Sequence, residues 1–478
     1  MKTFETVIGL EVHLQLKTKT KIFCGCANTF GNEPNTQTCP VCLGLPGSLP
    51  VLNKMALYNT IKAAMALNCQ VNPLIKFDRK NYYYPDLPKG YQISQNSLPI
   101  ASDGHIFIGN QKNPNRIGIK RTHLEEDAGK LIHDPQTNCT LVDYNRTGTP
   151  LIEIVSDPGL HSPEEAHDYL TTLKLILQYL DISDCDMEKG SLRCDANVSL
   201  REKGQTPLGT KVEIKNLNSF KAVKSALEFE QERQQAMLES GERITQETRL
   251  WNDEKGITSS MRSKEEAHDY RYFPEPDLVP FVVEQTMIEE IRGSLPELPH
   301  QKLGRFRKDY ALSDYDAQIL IQDKSVANFF EECTKIYPHT KKICNWIIGP
   351  LLQELNTRKV EIKNLSLTPK NLTLLIASVE KGVISNLAAK DIFPAMIDTG
   401  QSADEIISKK GLAQISDESA LIKIIDDVLK ENPSVVEQIK QGKESAMGFL
   451  VGQSMKKSQG KANPKILGDI IKRRLANG

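Results

Sequence analysis

No apolar run in this chain approaches the ~20 residues that a bilayer-crossing helix needs, which excludes a membrane-spanning class. The first residues carry no charged stretch followed by an apolar one, and a strand-like pattern begins almost at once. A secretory or organellar presequence is therefore not expected, and the chain is expected in the cytoplasm with its ten cysteines reduced. There is no G-x-x-x-x-G-K-[ST] loop and no protein-kinase signature set, so ATP chemistry of those two kinds is excluded. Nucleophile-elbow and paired-serine amidase signatures are also missing. A reaction that needs ammonia must then receive it from another polypeptide. Tandem repeats and low-complexity tracts are absent, and net charge is almost nil, with 60 Lys and Arg against 61 Asp and Glu.

That balance hides an asymmetry. From Lys440 onward, nine cations (Lys440, Lys443, Lys456, Lys457, Lys461, Lys465, Lys472, Arg473, Arg474) face only Glu444 and Asp469, a local charge of +7. A basic end on an acidic body points to a polyanionic partner. At 478 residues the chain exceeds the size at which single cores stop growing, ~250–300 residues, so two or three domains are expected. Strand and helix signals alternate up to residue 295, where Leu295-Pro296-Glu297-Leu298-Pro299 breaks the pattern. Helices are expected from Lys54 to Leu67, after a Ser162-Pro163-Glu164-Glu165 capping signal to about Leu180, and from Ser219 to Glu239. Beyond 295 strand signals nearly vanish. Residues 296–405 read as one helical domain and 406–478 as a smaller one bearing the basic tail.

Three stretches alternate apolar with polar residues, the mark of half-buried strands. Ile8, Leu10, Val12, Leu14 and Leu16 oppose Gly9, Glu11, His13 and Gln15. Leu192, Cys194, Ala196, Val198 and Leu200 oppose Arg193, Asp195, Asn197 and Ser199, and Val212 and Ile214 oppose Lys211, Glu213 and Lys215. Short-reach Asp195, Asn197 and His13 in mid-strand exceed what solvation asks of a wet face. Paired in one sheet, these residues form a kit for a metal and a phosphorylated ligand.

Cys24-x-Cys26-x12-Cys39-x2-Cys42 supplies two close thiolate pairs, the spacing of a closed structural zinc site. The acidic run Glu125-Glu126-Asp127 can complete a hard-cation site, but in a regular strand Glu126 shares Lys120's face and points away from Glu125. Glu153 interrupts an apolar strand with a charge that needs a cation or metal beside it. Lys80, Lys89 and Arg146 are candidate phosphate binders.

Taken in order, Ile8-Gly9-Leu10-Glu11-Val12-His13, the cysteine quartet, Phe77-Asp78-Arg79-Lys80-Asn81-Tyr82, Glu125-Glu126-Asp127-Ala128-Gly129-Lys130, Asn145-Arg146-Thr147-Gly148-Thr149-Pro150-Leu151-Ile152-Glu153, Gly190-Ser191-Leu192-Arg193-Cys194-Asp195-Ala196-Asn197 and Asp269-Tyr270-Arg271-Tyr272-Phe273-Pro274-Glu275-Pro276-Asp277 resemble the B-subunit family of bacterial tRNA-dependent amidotransferases. Ala446-Met447-Gly448-Phe449-Leu450-Val451-Gly452-Gln453 resembles that family's YqeY-like tail. The resemblance implies an α+β fold, in which a glutamine-synthetase-like cradle (1–295) built on an antiparallel sheet precedes two all-helical domains. It implies ATP-dependent phosphorylation of the side-chain carboxylate of Glu-tRNA(Gln) or Asp-tRNA(Asn). Amidation follows, with ammonia from an amidase-like A subunit, in a heterotrimer completed by a small C subunit. It assigns catalysis to Glu11, His13, Lys80, Glu125, Arg146 and Asp195, and ligand binding to Lys80, Arg146, Asn197 and Lys215. Glu11, His13, Glu126 and Glu213 are the implied Mg2+ (or Mn2+) ligands, with structural Zn2+ on Cys24, Cys26, Cys39 and Cys42. The rival reading is a non-catalytic tRNA-binding scaffold.

Overall fold

A computed structural model describes residues 3–109, 113–134, 136–261, 270–410, 418–440, 446–458, 462 and 464–477. Asp269 of the last cradle motif lies outside the described residues, as do Lys443, Lys461 and Glu444 of the basic tail and the side chains of Lys440 and Lys465. The chain forms two compact units, Met1–Pro299 and His300–Gly478.

The main sheet of the first unit has nine strands among the described residues: β1 (Phe4–Gln15), β2 (Gln70–Val71), β3 (Ala101–Ile108), β4 (Asn115–Glu126), β5 (Pro150–Ser156), β6 (Leu192–Glu202), β7 (Val212–Leu217), β8 (Glu247–Asn252) and β9 (Ile257–Ser260). Their order across the sheet is β9-β8-β7-β6-β1-β5-β4-β3-β2. Alternation decides which side of each strand is dry. In β1, Ile8, Leu10, Val12 and Leu14 are buried, and they join Ile152 and Ile154 of β5, Cys194, Ala196 and Val198 of β6, and Ile214 of β7 in one core. Helices Lys54–Ala66, Pro163–Tyr179 and Phe220–Glu239 contribute Ile61, Leu170, Leu173 and Val223 to the same core. Burial of each such aliphatic side chain contributes roughly 1.5–3 kcal/mol, so a charge at Val12 would break the layer.

The helix starts follow local chemistry. Ser162 Oγ accepts from Glu165 N at 3.1 Å, and Pro163 occupies the first turn. The Glu165 carboxylate reaches back one residue further than a capping box requires, taking His161 N at 2.7 Å. The expectation of an antiparallel sheet needs one correction, because β7 and β8 run parallel. The long Phe220–Glu239 helix lies between them in sequence and supplies the crossover that a parallel pair demands. The sheet is therefore mixed, and the fold is α+β.

The second unit is helical in all its described regular elements. Phe306, Phe330, Trp346, Ile392 and Phe393 belong to one buried cluster, and Leu421, Ile425, Leu450, Leu467 and Ile471 to another. Two tail cations are matched by acids of the neighbouring helix, Lys457 by Glu431 at 2.6 Å and Arg474 by Asp426 at 3.0 Å. Among the described residues no helix is long and apolar enough to cross a membrane.

Candidate active site on the polar face of the sheet

Strand register brings the polar sets of five strands together. His13 of β1 stands opposite Glu153 of β5 on one side and Arg193 of β6 on the other, while Glu11 stands opposite Asp195. Glu153 is opposite His123 of β4, and Asn197 of β6 is opposite Glu213 of β7. Glu11, His13, His123, Glu153, Asp195 and Glu213 floor a hollow of about 460 Å³, walled by Lys80, Ser94, Arg121, Tyr270 and Tyr272.

Two groups of contacts occupy the floor. In the first, buried His123 Nε2 lies 2.9 Å from Glu153 Oε2 and 3.4 Å from Glu125 Oε2, and His13 Nε2 is 3.8 Å from Glu153. Ser94 Oγ donates to Glu125 at 2.8 Å. One donor atom each of His13, Glu125 and Glu153 lie within 4.8 Å of one another, a spacing that a single cation can span. In the second, Lys215 Nζ bridges Asp195 at 2.7 Å and Glu213 at 3.0 Å. Asn197 Nδ2 donates to Glu11 at 3.0 Å, and Thr248 Oγ1 of β8 donates to Glu213 at 2.7 Å.

The electrostatics follow from this crowding. Burial disfavours the His123 imidazolium, yet its hydrogen bonds to Glu125 and Glu153 raise it to about 9. Burial pushes Glu125 and Glu153 upward, but His123 more than offsets it and holds both below the usual carboxylate range. Lys80 is raised: burial opposes its charge, and Glu125, Tyr272, Tyr270 and Glu153 outweigh that penalty. Lys215 is likewise held up by Asp195 and Glu213 against its burial. The hollow thus stores several carboxylates at neutral pH beside fixed cations. His123 Nδ1 and Asn197 Oδ1 are buried and lack partners among the described residues, so the floor has polar capacity left over.

Comparison with known proteins decides the family. Residues 6–289 match the family described as GatB/GatE catalytic domain, and residues 328–475 match that described as GatB domain. The B subunit of the aspartyl/glutamyl-tRNA(Asn/Gln) amidotransferase of Thermoanaerobacter sp. (strain X514) is 55% identical over 473 residues, 99% of each chain. The protein of the same name from Carboxydothermus hydrogenoformans is 54% identical over 479 residues, 100% of each chain. That of Thermodesulfovibrio yellowstonii is 54% identical over 468 residues, 98% of each. The chain belongs to the GatB/GatE family.

The hollow lies inside the segment matched to the GatB/GatE catalytic domain. Of the residues expected at a site, Glu11, His13, Lys80, Glu125, Asp195, Glu213 and Lys215 line it, and Asn197 touches it through Glu11. Two do not. Glu126 turns to the opposite side of β4, where it accepts from Lys89 and, at 2.9 Å, from the backbone of Ile93. The expected grouping of Glu126 with Glu11, His13 and Glu213 is thereby corrected: regular strand parity carries into the end of β4, so only Glu125 shares the face of His123. Arg146 is turned away too. Its guanidinium donates to the carbonyls of Ala128 at 2.9 Å and Gly129 at 2.6 Å, and lies 3.7 Å from Asp127. Asp127 also accepts from Arg193 and, at 2.7 Å, from Gln15, so Arg146 braces a strand end. Sequence reading missed His123 as a member of the site and left Glu153 out of the ligand set. The usable signal was the shared parity of Arg121, His123 and Glu125.

A second donor set lies in the same catalytic segment. One sulfur each from Cys24, Cys26, Cys39 and Cys42 lie within 4.8 Å of one another. Cys39 N donates to Cys42 Sγ at 3.1 Å, the pattern of a thiolate knuckle, and Gly44 closes the short Pro40–Leu43 helix at φ 68°. Gly148 packs under the knuckle at φ 79°, with Cys42 Cβ and Lys21 Cδ each 3.6 Å from where its own Cβ would sit. Cys42 is lowered to about 5, chiefly by a hydrogen bond from Cys24, while burial raises Cys26 to about 11. Four soft donors at this spacing fit zinc.

Proposed function

We propose that this chain is the carboxylate-activating subunit of a tRNA-dependent amidotransferase, acting on Glu-tRNA(Gln) or Asp-tRNA(Asn). The names of its relatives support the substrate class. The observation that carries the reading is the His13–Glu125–Glu153 cluster on the floor of a hollow that also presents Lys80 and Lys215. The side-chain carboxylate of the misacylated residue takes the γ-phosphoryl group of ATP, and ADP departs. Ammonia then attacks the acyl carbon, and inorganic phosphate leaves with the former carboxylate oxygen. Such transfer asks for positioning and charge neutralisation rather than a covalent nucleophile.

His13, Glu125 and Glu153 would hold Mg2+ or Mn2+, which supplies charge neutralisation to phosphoryl oxygens when bound. Lys80 offers a fixed positive charge to the transferring group. His123 keeps Glu125 and Glu153 ionised and aimed at one point. Glu11, Asp195 and Glu213 form a second acidic row whose charge Lys215 balances in part. The unit has the cradle architecture related to glutamine synthetase, and the quartet holds structural Zn2+. An amidase-like A subunit supplies ammonia, a small C subunit completes the heterotrimer, and residues 296–405 and 406–478 hold the tRNA. A scaffold role fits less well, since acids clustered in a hollow repel the polyanion that a scaffold must hold.

The test is conversion of Glu-tRNA(Gln) to Gln-tRNA(Gln) by the assembled complex with ATP and Mg2+. The reading expects tRNA-dependent ADP release and its loss in Glu153→Ala. Undiminished amide formation by Glu153→Ala would remove the hollow from the chemistry.

A further inference from the structure

Lys21 is a fully buried lysine whose surroundings are unusual. Its Nζ has three hydrogen-bond donors and three acceptors: the carbonyl of Gln37 at 2.7 Å, the carbonyl of Tyr144 at 3.4 Å and Cys42 Sγ at 3.8 Å. Among the described residues no carboxylate pairs with it. An ammonium removed from water without a countercharge is strongly unfavourable, and two carbonyl dipoles offset only part of that cost. Of its three contacts among the described residues, Cys42 Sγ is the one that can carry a negative charge. Lys21 also reaches the other thiol pair, since its backbone N–H donates to Cys26 O at 3.0 Å.

We propose that Lys21 is the built-in counter-ion of the cysteine quartet, stabilising the metal-loaded site through its contact with Cys42 Sγ. A divalent cation with four thiolates carries surplus negative charge, and a buried ammonium in contact with one sulfur cancels part of it. The same residue ties metal loading to the strand end that Arg146 braces. Lys21 holds the Tyr144 carbonyl, and Gln37 N donates to Asn145 Oδ1 at 2.8 Å, two and one residues before Arg146. The proposal rests on the reading of the quartet as a zinc site.

The test uses the full-length protein as it assembles, in reducing buffer, with zinc as the probe. Zinc content, the rate of zinc release to a chromophoric chelator, and the melting temperature before and after metal removal are measured for wild type, Lys21→Met and Lys21→Arg. Wild type is expected to hold one zinc per chain, and Lys21→Met to release it roughly 10–100-fold faster, the scale of lost outer-shell partners. Lys21→Arg keeps the charge and is expected to lie between them. The distinguishing result is metal-specific: Lys21→Met melts below wild type when loaded, and the gap narrows when both are metal-free. Equal release rates together with an undiminished melting gap after metal removal would reduce Lys21 to a packing residue and overturn the proposal. Wild type purified from zinc-replete cells without zinc would overturn the reading of the quartet, and the proposal with it. Should Lys21→Met be insoluble, Lys21→Gln, neutral but able to donate to the carbonyls, carries the same comparison.

Discussion

Two sets of carboxylates packed against the same sheet have been treated in opposite ways. Glu230, on helix Phe220–Glu239, is fully buried and saturated. It accepts from Arg233 Nε at 2.9 and 3.1 Å, Arg233 Nη2 at 2.9 Å, Gln234 at 3.2 Å and Thr258, and pairs with Arg249 of β8 at 2.9 Å. Every acceptor site of that carboxylate is spoken for, and the knot sews the helix to the edge strands. In the hollow, Glu153 has His123 and a more distant His13, and Glu11 has Asn197. A carboxylate that its own fold saturates is scaffold. Several that converge while under-matched are a receptor for positive charge, because only a ligand can complete their coordination.

The comparison breaks most visibly by truncation on each side. Glu153→Ala or Glu125→Ala is expected to cut amide formation by roughly 10²–10³-fold, the scale of losing one preorganised electrostatic partner. The urea midpoint of either variant stays close to wild type. Glu230→Ala should do the reverse, lowering stability by about 3–5 kcal/mol because two arginines lose a buried partner. The folded fraction of that variant retains turnover. An inert but fully stable Glu230→Ala, or an unfolded Glu153→Ala, would dissolve the distinction.

Much of this arrangement was legible from residues alone. Period-two alternation placed Glu11 with His13 and Asp195 with Asn197 on wet faces, because strand parity is a local property. What alternation does not carry is which strands become neighbours. The pairing of β1 with β5 joins residues more than a hundred positions apart, and that of β5 with β4 completes the row. It is this register that turns Glu153 from an odd charge in an apolar strand into the partner of His13 and His123. The run Glu125-Glu126-Asp127 obscured a rule that was available, since parity alone separates Glu126 from Glu125. Lys21 was silent, as a lone lysine near a cysteine motif reads as a surface cation until its burial is known.

The adjacent pair Glu125 and Glu126 sharpens the contrast at a smaller scale. Glu126 is already matched by Lys89 and the Ile93 N–H, whereas Glu125 faces the hollow. Glu125→Gln is expected to raise the Mg2+ concentration for half-maximal activity about tenfold or more, as a weakened ligand does. Glu126→Gln should leave that concentration unchanged, whatever it does to turnover. Titration of activity with Mg2+ in both variants checks this, and an equal shift in the two would return Glu126 to the ligand set.

The smallest effect tests whether scaffold and receptor communicate. Arg249 is held by Glu230, and the preceding residue of β8, Thr248, points to the opposite face and donates to Glu213 Oε2 at 2.7 Å. The saturated knot therefore sets the position of a hydroxyl that orients an under-matched acid. Thr248→Val keeps the shape and β-branching while removing the donor, so β8 should pair as before. Loss of one such bond predicts a rise of roughly three- to tenfold in the metal concentration for half-maximal activity. The substrate KM should not move, and Thr248→Ser should recover most of the loss. A strand that merely packed beside the hollow would show neither the metal-specific shift nor the serine rescue.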